Sequence, residues 1–259
     1  MLFAWIDEIQ KSDGVVGDIL EIGVHHGKTA VFLGAMLDPD REKLAVCDLF
    51  ANQAGNVSGS GSGDRQIFER NFRWCSNGHV GVQIFEKPST ELTPEEVGRN
   101  HRFVHVDGGH TREEALNDLH LAADTTIQSG VIALDDPMTP EWPGVAEAVF
   151  VFLSSREDFC AVVAGFNKMI LVRREAADRY TRQLDNEERR QAYGLTYPWY
   201  FKQLAFMNHP LRIFHVPSFV DSSSLKTRLV RFYHHHEWLK HPLLRPAVSL
   251  ARLVTRRKA

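Results

Sequence analysis

Short apolar runs alternate with amphipathic segments along the first two thirds of the chain. Apolar runs of this length, bounded by turn residues, are typical of buried strands, whereas apolar residues that recur every three or four positions predict helices. The runs that predict strands are residues 18–23, 44–50, 80–85, 103–107, 130–136, 159–163 and 168–173. Because helical segments separate most of these runs, the pattern predicts an α/β fold, doubly wound, with a mostly parallel seven-stranded sheet.

The first predicted strand ends in a turn that contains two glycines. Glu21 lies at the end of the strand, and Gly23 and Gly27 follow with three residues between them. Glycine permits a tight turn and a close approach of backbone to a ligand. The free amides of the next helix attract an anionic group, and Glu21 can hold a cationic one. A ligand with both charges, such as an amino-acid moiety, suits this turn, although a glycine turn can also serve packing alone.

The same turn has an alternative interpretation as a nucleotide-triphosphate loop. Gly27, Lys28 and Thr29 match the last three positions of a P-loop, and residues 131–136 resemble its acidic partner strand. A P-loop, however, needs four residues between its glycines. The shorter spacing here disfavours triphosphate binding.

Acidic residues follow several of the predicted strands. Glu21, Asp48, Asp107, Asp135 and Asp136 all stand at the carboxyl ends of such strands. Ligands of doubly wound sheets bind at these ends. Each residue alone is compatible with a helix cap or a solvated turn, but together they favour a functional site.

Residues 51–64 are small and polar, including a run of alternating glycine and serine at 59–63. This composition is typical of a flexible segment. Since it follows a strand's carboxyl end, we interpret it as either a lid or a slack linker.

Composition and charge divide the chain into a body and a tail. The overall net charge is −3, but residues 222–259 carry nine Lys or Arg against one acid, which gives +8 and leaves −11 on the rest. We predict a first domain over residues 1–175 and a helical, basic C-terminal extension over 176–259, acting as a lid, a dimer arm or a contact to an anionic membrane surface. The acidic body and the absence of a recognition motif disfavour nucleic acid.

Targeting and cysteine signals are weak. Asp7 and Glu8 come too early for a signal peptide, and no apolar run is long enough to span a membrane. Three cysteines without paired spacing argue against a disulfide framework and a zinc site. We therefore expect a cytoplasmic protein.

The ordered motifs resemble class I S-adenosylmethionine-dependent methyltransferases with a Rossmann-like fold, and more narrowly the metal-dependent macrocin-type sugar O-methyltransferases and cephalosporin-hydroxylase-like proteins. The motifs that carry the resemblance are residues 21–27, Asp48, 107–110, 130–136 and 142–145. The resemblance covers about residues 15–175 and implies an O-methyltransferase. Its acceptor would be a hydroxyl of a sugar, glycan or glycosylated metabolite. A catechol-like or other small hydroxyl compound is the alternative, as is a catalytically silent binding module. We also expect a homodimer.

The resemblance further implies roles for single residues. Those that would hold S-adenosylmethionine are Glu21, Gly23, Gly27, Thr29, Asp48, Ser89 and Asp107, with Asp48 at the ribose and Ser89 near the adenine. The segment before Ser89 departs from the family pattern, because a lysine replaces a glycine at position 87. The residues that would bind Mg²⁺ are Asp107, Asp135 and Asp136, which offer the hard oxygen ligands that this ion prefers.

A general base is less evident. Related enzymes use an aspartate two residues after the first metal ligand, and that position is Gly109 here. His110 is the nearest alternative, since histidine accepts protons near neutral pH. His110 could equally cap the following helix or order the loop.

Overall fold

Nine β-strands form one sheet in the part of the chain that the computed structural model describes, which is residues 1–76, 81–195 and 200–215. In chain order the strands are β1 (Asp18–Ile22), β2 (Leu44–Asp48), β3 (Val82–Glu86), β4 (His101–Val106), β5 (Thr126–Asp135), β6 (Phe159–Gly165), β7 (Lys168–Arg173), β8 (Tyr200–Phe206) and β9 (His209–His215). Their spatial order is β3-β2-β1-β4-β5-β7-β6-β9-β8. The predicted α/β fold is confirmed, but the sheet has nine strands rather than seven.

Helices cover both faces of this sheet. Within the described residues they are α1 (Leu2–Ser12), α2 (Lys28–Met36), α3 (Arg65–Cys75), α4 (Pro94–Val97), α5 (Arg112–Thr125), α6 (Pro143–Ser155), α7 (Ala177–Asp185) and α8 (Glu187–Ala192). Helices α1, α2, α3 and α7 pack into the core on one face, and α4, α5 and α6 into the core on the other. No helix in the described ranges is long and apolar enough to cross a membrane.

Strand β5 shows why the sheet is buried on both sides. Val131 and Ala133 belong to the first core, whereas Ile132 and Leu134 belong to the second. Successive side chains of a strand point to opposite faces, so a continuous apolar run supplies both cores. Residues 131–134 are therefore all apolar.

Parallel pairing brings the acidic strand ends to one edge. Strand β1 pairs in parallel with β2 and β4, and β4 pairs in parallel with β5. Strand β7 runs antiparallel to β5, so that Lys168, its first residue, pairs with Asp135. The beginning of β7 thus lies at the same edge as the end of β5.

A β-hairpin follows α8, where the sequence predicted helices. Strands β8 and β9 pair antiparallel, and Met207 and Asn208 form the turn between them with φ of 49° and 59°. Asparagine tolerates this left-handed conformation, which two-residue hairpin turns require. Strand β9 extends the sheet by pairing in parallel with β6. This part of the predicted extension over 176–259 is therefore a hairpin, whereas residues 216–259 lie outside the described residues.

Candidate functional site

A cavity of about 690 Å³ opens at the carboxyl edge of the parallel strands. This volume lies in the range of small-molecule and cofactor sites. The predicted site residues that line the cavity are Glu21, Gly23, Thr29, Asp48, Ser89, Asp107, His110 and Asp135. Gly27 and Asp136 are next to lining residues in the chain but do not line the cavity themselves. The loop after β2 also contributes, including Asn56 and Ser60.

The glycine turn is required by close packing. Gly23 and Gly27 both adopt φ of 83°, a left-handed conformation that favours glycine. A Cβ on Gly23 would lie 1.8 Å from the carbonyl oxygen of Asp107, and one on Gly27 would lie 2.6 Å from Cδ2 of Phe68. Gly27 is the N-cap of α2 and no side chain caps the helix. The first amides of α2 are therefore not taken by a capping side chain.

Asp48 fixes this turn from the neighbouring strand. Its Oδ2 accepts the backbone amides of Val24 at 2.6 Å and His25 at 2.7 Å, and its Oδ1 accepts that of Phe50 at 2.5 Å. Asp48 thus links the turn after β1 to the loop after β2. Each carboxylate oxygen has two lone pairs, so Oδ2 is fully used and Oδ1 keeps one lone pair for a donor from the cavity. The predicted ribose contact of Asp48 stays a prediction.

A buried acid–imidazole pair lies beneath the turn. Glu21 Oε1 is 2.9 Å from Nδ1 of His105, and both side chains are almost fully buried. Burial, with the charges of Asp107 and Asp48, raises the pKa of Glu21 well above its ordinary value. Burial and the charge of Lys168 lower the pKa of His105. Both shifts favour the neutral forms. The sequence prediction missed His105, although a histidine inside an apolar strand is an unusual residue there.

The predicted metal ligands Asp107, Asp135 and Asp136 belong to two overlapping groups of potential ligands rather than to one. Ligand atoms of His105, Asp107 and Asp135 lie within 4.8 Å of one another, and so do those of Asp107, His110 and Asp136. The two groups share Asp107. Burial, together with the charge of Asp135, raises the pKa of Asp107 to about 8. The hard oxygen donors of this cluster fit a Mg²⁺ ion.

His110 joins Asp136 to the loop after β2. Its Nε2 is 3.3 Å from Asp136 Oδ2 and its Nδ1 is 2.9 Å from the hydroxyl of Ser60. The ring also lies against Trp142, with the centroids 4.5 Å apart. The N-cap of α5 is Thr111, whose side chain accepts the amide of Glu114, so His110 does not cap this helix.

Gly109 occupies the position where related enzymes place an aspartate. A Cβ on Gly109 would lie 2.4 Å from Cδ of Glu114. Glu114 is held there by the capping box of α5. A side chain at position 109 would therefore displace the start of α5. The first titratable side chain after Asp107 in this loop is that of His110.

A second buried carboxylate, Asp118, lies below the Ser89 end of the cavity. Asp118 is fully buried on α5, and a Cβ on Gly108 would lie 2.6 Å from its Oδ2. Burial raises the pKa of Asp118 to about 7, which the side chains of Ser89 and Asn117 partly oppose. The sequence prediction missed this residue, because an acid in a helix usually lies on the solvent face.

Comparisons with known proteins agree with this architecture. Residues 20–137 match a family model described as a methyltransferase domain. No curated protein matches the chain. Among solved structures, the chain is similar to the O-methyltransferase NovP, with 17% identity, a TM-score of 0.56, and coverage of 66% of this chain and 78% of that one.

Two further solved structures share the fold. The apo structure of CalS11, a TDP-rhamnose 3′-O-methyltransferase of calicheamicin biosynthesis, has 18% identity and a TM-score of 0.50, covering 67% of this chain and 80% of that chain. A putative caffeoyl-CoA O-methyltransferase from Staphylococcus aureus has 10% identity and a TM-score of 0.51, covering 66% and 82%. At such identities the likeness shows the fold alone. Together with the family match over residues 20–137, it confirms the resemblance to methyltransferases.

Proposed function

We propose that this class I S-adenosylmethionine-dependent O-methyltransferase methylates a hydroxyl of a sugar, glycan or glycosylated metabolite, with the help of Mg²⁺. The observation that carries the proposal is the single cavity in which the glycine turn after β1 meets the acidic ends of β4 and β5. One part of the cavity suits a charged amino-acid moiety and the other suits a metal ion. This juxtaposition suits metal-assisted methyl transfer to a hydroxyl.

The cofactor would be held by the residues around the glycine turn. The amides at the start of α2, with Thr29, would receive the carboxylate of the methionine part, while Glu21 faces its ammonium group. Asp48 would accept a hydrogen bond from the ribose, and Ser89, which lines the same cavity, would lie near the adenine. S-Adenosylmethionine supplies an electrophilic methyl group, and the protein contributes mainly by positioning the acceptor in line with it.

The metal ion would be held by Asp107, Asp135 and Asp136. Mg²⁺ supplies a Lewis acid that lowers the pKa of a bound hydroxyl. Coordination by two or three carboxylates leaves positions for water and for acceptor oxygens. Burial and the charge of Asp135 raise the pKa of Asp107, and a bound cation would favour its ionised form.

His110 is the proposed proton acceptor. Burial raises the pKa of Asp136, but hydrogen bonds from Thr139, Asn167 and His110 outweigh it and hold this pKa below its usual range. An ionised Asp136 only accepts hydrogen bonds, so it fixes the proton of a neutral His110 on Nε2. The free lone pair is then on Nδ1, which faces Ser60. An acceptor hydroxyl that replaced the Ser60 hydroxyl would donate its proton to this nitrogen.

The proposal of a sugar acceptor rests on the sequence resemblance and on the description of one neighbour. CalS11 is described as a TDP-rhamnose methyltransferase, whereas the staphylococcal protein, with lower identity, is described as a putative caffeoyl-CoA methyltransferase. A catechol-like or other small hydroxyl compound is therefore the second candidate. The cytoplasmic location, the homodimer and the role of residues 216–259 stay predictions.

A binding and transfer experiment tests the proposal. S-Adenosylhomocysteine should bind the protein at micromolar concentration in calorimetry and raise its melting temperature, whereas ATP should not compete. Methyl transfer should be seen with sugar nucleotides or glycosides in an acceptor panel that also contains catechols. Binding of ATP without binding of S-adenosylhomocysteine would instead favour the P-loop interpretation.

A glycine pair provides a matched control for this experiment. Gly23→Ala should abolish S-adenosylhomocysteine binding, because the new Cβ would collide with the backbone of Asp107. Gly81→Ala should bind normally, since nothing lies within 4 Å of a Cβ at that position. Equal binding by both variants would mean that the turn after β1 is not the cofactor site.

A further inference from the structure

The turn between β6 and β7 brings two donors to the acidic pair at the end of β5. Lys168 Nζ forms an ion pair with Asp135 Oδ2. Asn167 Nδ2 donates to Asp135 Oδ1 at 3.1 Å and to Asp136 Oδ1 at 2.5 Å. Phe166 and Asn167 adopt φ of 57° and 61°, as a two-residue hairpin turn requires. The backbone of this turn therefore fixes where both donors lie.

The charge of Lys168 affects two further acidic residues that line the cavity, Glu21 and Asp107. Burial raises the pKa of Glu21 and Asp107, and the positive charge of Lys168 opposes both shifts. Lys168 lines the cavity, and its side chain is only 18% exposed. A charge so poorly exposed is weakly screened by salt, so its effect on the carboxylates is larger than that of a surface lysine.

We propose that Lys168 is an internal cation that competes with the divalent ion for Asp135. This inference rests on the proposed metal site. An ion coordinated by Asp135 Oδ2 would meet the ammonium group at the same oxygen, where the two positive charges repel each other. The ion therefore enters as the ammonium group leaves. Lys168 weakens divalent binding and in return balances the carboxylates while no ion is bound.

Measurement of Mn²⁺ binding by electron paramagnetic resonance tests the competition without using activity. Lys168→Met keeps much of the side-chain length but removes the charge, and it should bind Mn²⁺ at least tenfold more tightly than the wild type. Lys202→Met, which alters an exposed lysine of β8, is the matched control and should bind as the wild type does. An unchanged or weaker affinity in Lys168→Met would overturn the inference.

A labelling experiment on the wild type covers the case in which Lys168→Met does not fold. Saturating Mn²⁺ should free the ammonium group and raise the acetylation rate of Lys168 by acetic anhydride several-fold, as measured by mass spectrometry. The rate at Lys202 should not change. A Lys168 rate that is unaffected or reduced by bound Mn²⁺ contradicts the competition.

The two experiments also separate this inference from the proposed function. Equal and measurable Mn²⁺ affinity in the wild type and in Lys168→Met would keep the metal site and remove the role of Lys168. Binding by the variant but not by the wild type supports the competition in its strongest form. No Mn²⁺ binding by either protein would remove the proposed metal site, and the inference with it.

Discussion

Replacing Arg102 by methionine should destabilise the protein strongly, because Arg102 is the centre of a buried ion network. The side chain is fully buried in β4. Its Nε and Nη2 donate to the two oxygens of Glu42 at 2.7 and 3.0 Å. Its Nη1 donates to Gln10 at 2.8 Å and lies 2.9 Å from Asp7 Oδ1. The network thereby connects α1 and the segment before β2 to β4, the strand that Asp107 follows.

The size of the effect follows from what the substitution leaves behind. Methionine has a similar length, but Glu42, whose side chain is 3% exposed, would keep a buried charge without its cation. Removing one partner of a buried ion pair costs about 3–5 kcal/mol. In a protein of this size, that loss corresponds to a fall in melting temperature of about 6–20 °C.

The pH dependence gives a second signature of the same network. Burial raises the pKa of Glu42, but the Arg102 side chain and the backbone amides of Asp38 and Gly17 outweigh it, so the pKa is lower than usual. The stabilisation is therefore present above the ordinary pKa of a glutamate and is lost as the pH falls through the lowered value. Arg102→Met should show less of this acid-induced loss than the wild type.

Urea unfolding followed by circular dichroism measures the free energy of unfolding, with Arg65→Met as the control. Arg65 pairs with Glu69 and Glu86, but its side chain is 46% exposed. Exposed ion pairs contribute about 0–1 kcal/mol, so this variant should remain close to the wild type. An Arg102→Met variant within about 1 kcal/mol of the wild type would refute the reasoning, since the buried network would then carry no net stability.

Three further predictions concern the site. His110→Ala should lower kcat about 10²-fold while leaving S-adenosylhomocysteine affinity in calorimetry unchanged, and a near-normal kcat would exclude His110 as the base. Because the pKa of Asp107 is raised to about 8, Mg²⁺ must displace a proton from this carboxyl at neutral pH. Calorimetry should therefore show that the Mg²⁺ affinity falls as the pH is lowered below about 8, and an affinity that is constant from about pH 6 to 9 would contradict this. The pKa of Asp118 rises to about 7 on folding, so wild-type stability should fall by about 3 kcal/mol as the pH rises from 4 to 7, whereas Asp118→Asn should lack this part of the fall in urea unfolding.

The parallel half of the fold could be predicted because its physical signals are local. A strand buried on both faces needs a continuous apolar run, and residues 19–22, 44–47, 103–106 and 131–134 form such runs, interrupted only by Glu21 and His105. The hairpin β8–β9 could not be recognised as easily. Its turn residues, Met207 and Asn208, lack the glycine that usually marks a two-residue turn, and its strands carry mixed polar and apolar residues.

The candidate site was partly predictable for a related reason. Parallel strands with acidic ends place those ends on one edge whatever the exact register, so Glu21, Asp48, Asp107 and Asp135 could be grouped from the sequence. Their partners depend on the register and on the loops. The contact of Ser60 with His110 spans fifty positions and comes from a glycine-rich segment whose conformation the sequence leaves open.

Lys168 illustrates the limit most clearly, because its place depends on the direction of a strand. The sequence correctly predicts a strand over residues 168–173, and a parallel β7 would place Lys168 at the opposite edge of the sheet, far from the acidic residues. The observed antiparallel pairing reverses this, and Lys168 stands directly opposite Asp135. The short connection of β7 to β6 by a two-residue turn, at Phe166 and Asn167, requires these two strands to be antiparallel. The position of β7 next to β5, however, is a property of the whole sheet. The topology of the sheet thus sets the charge balance of the site. Lys168 acts on the carboxylates of Glu21, Asp107 and Asp135, but no local sequence pattern around Lys168 indicates that it lies beside them.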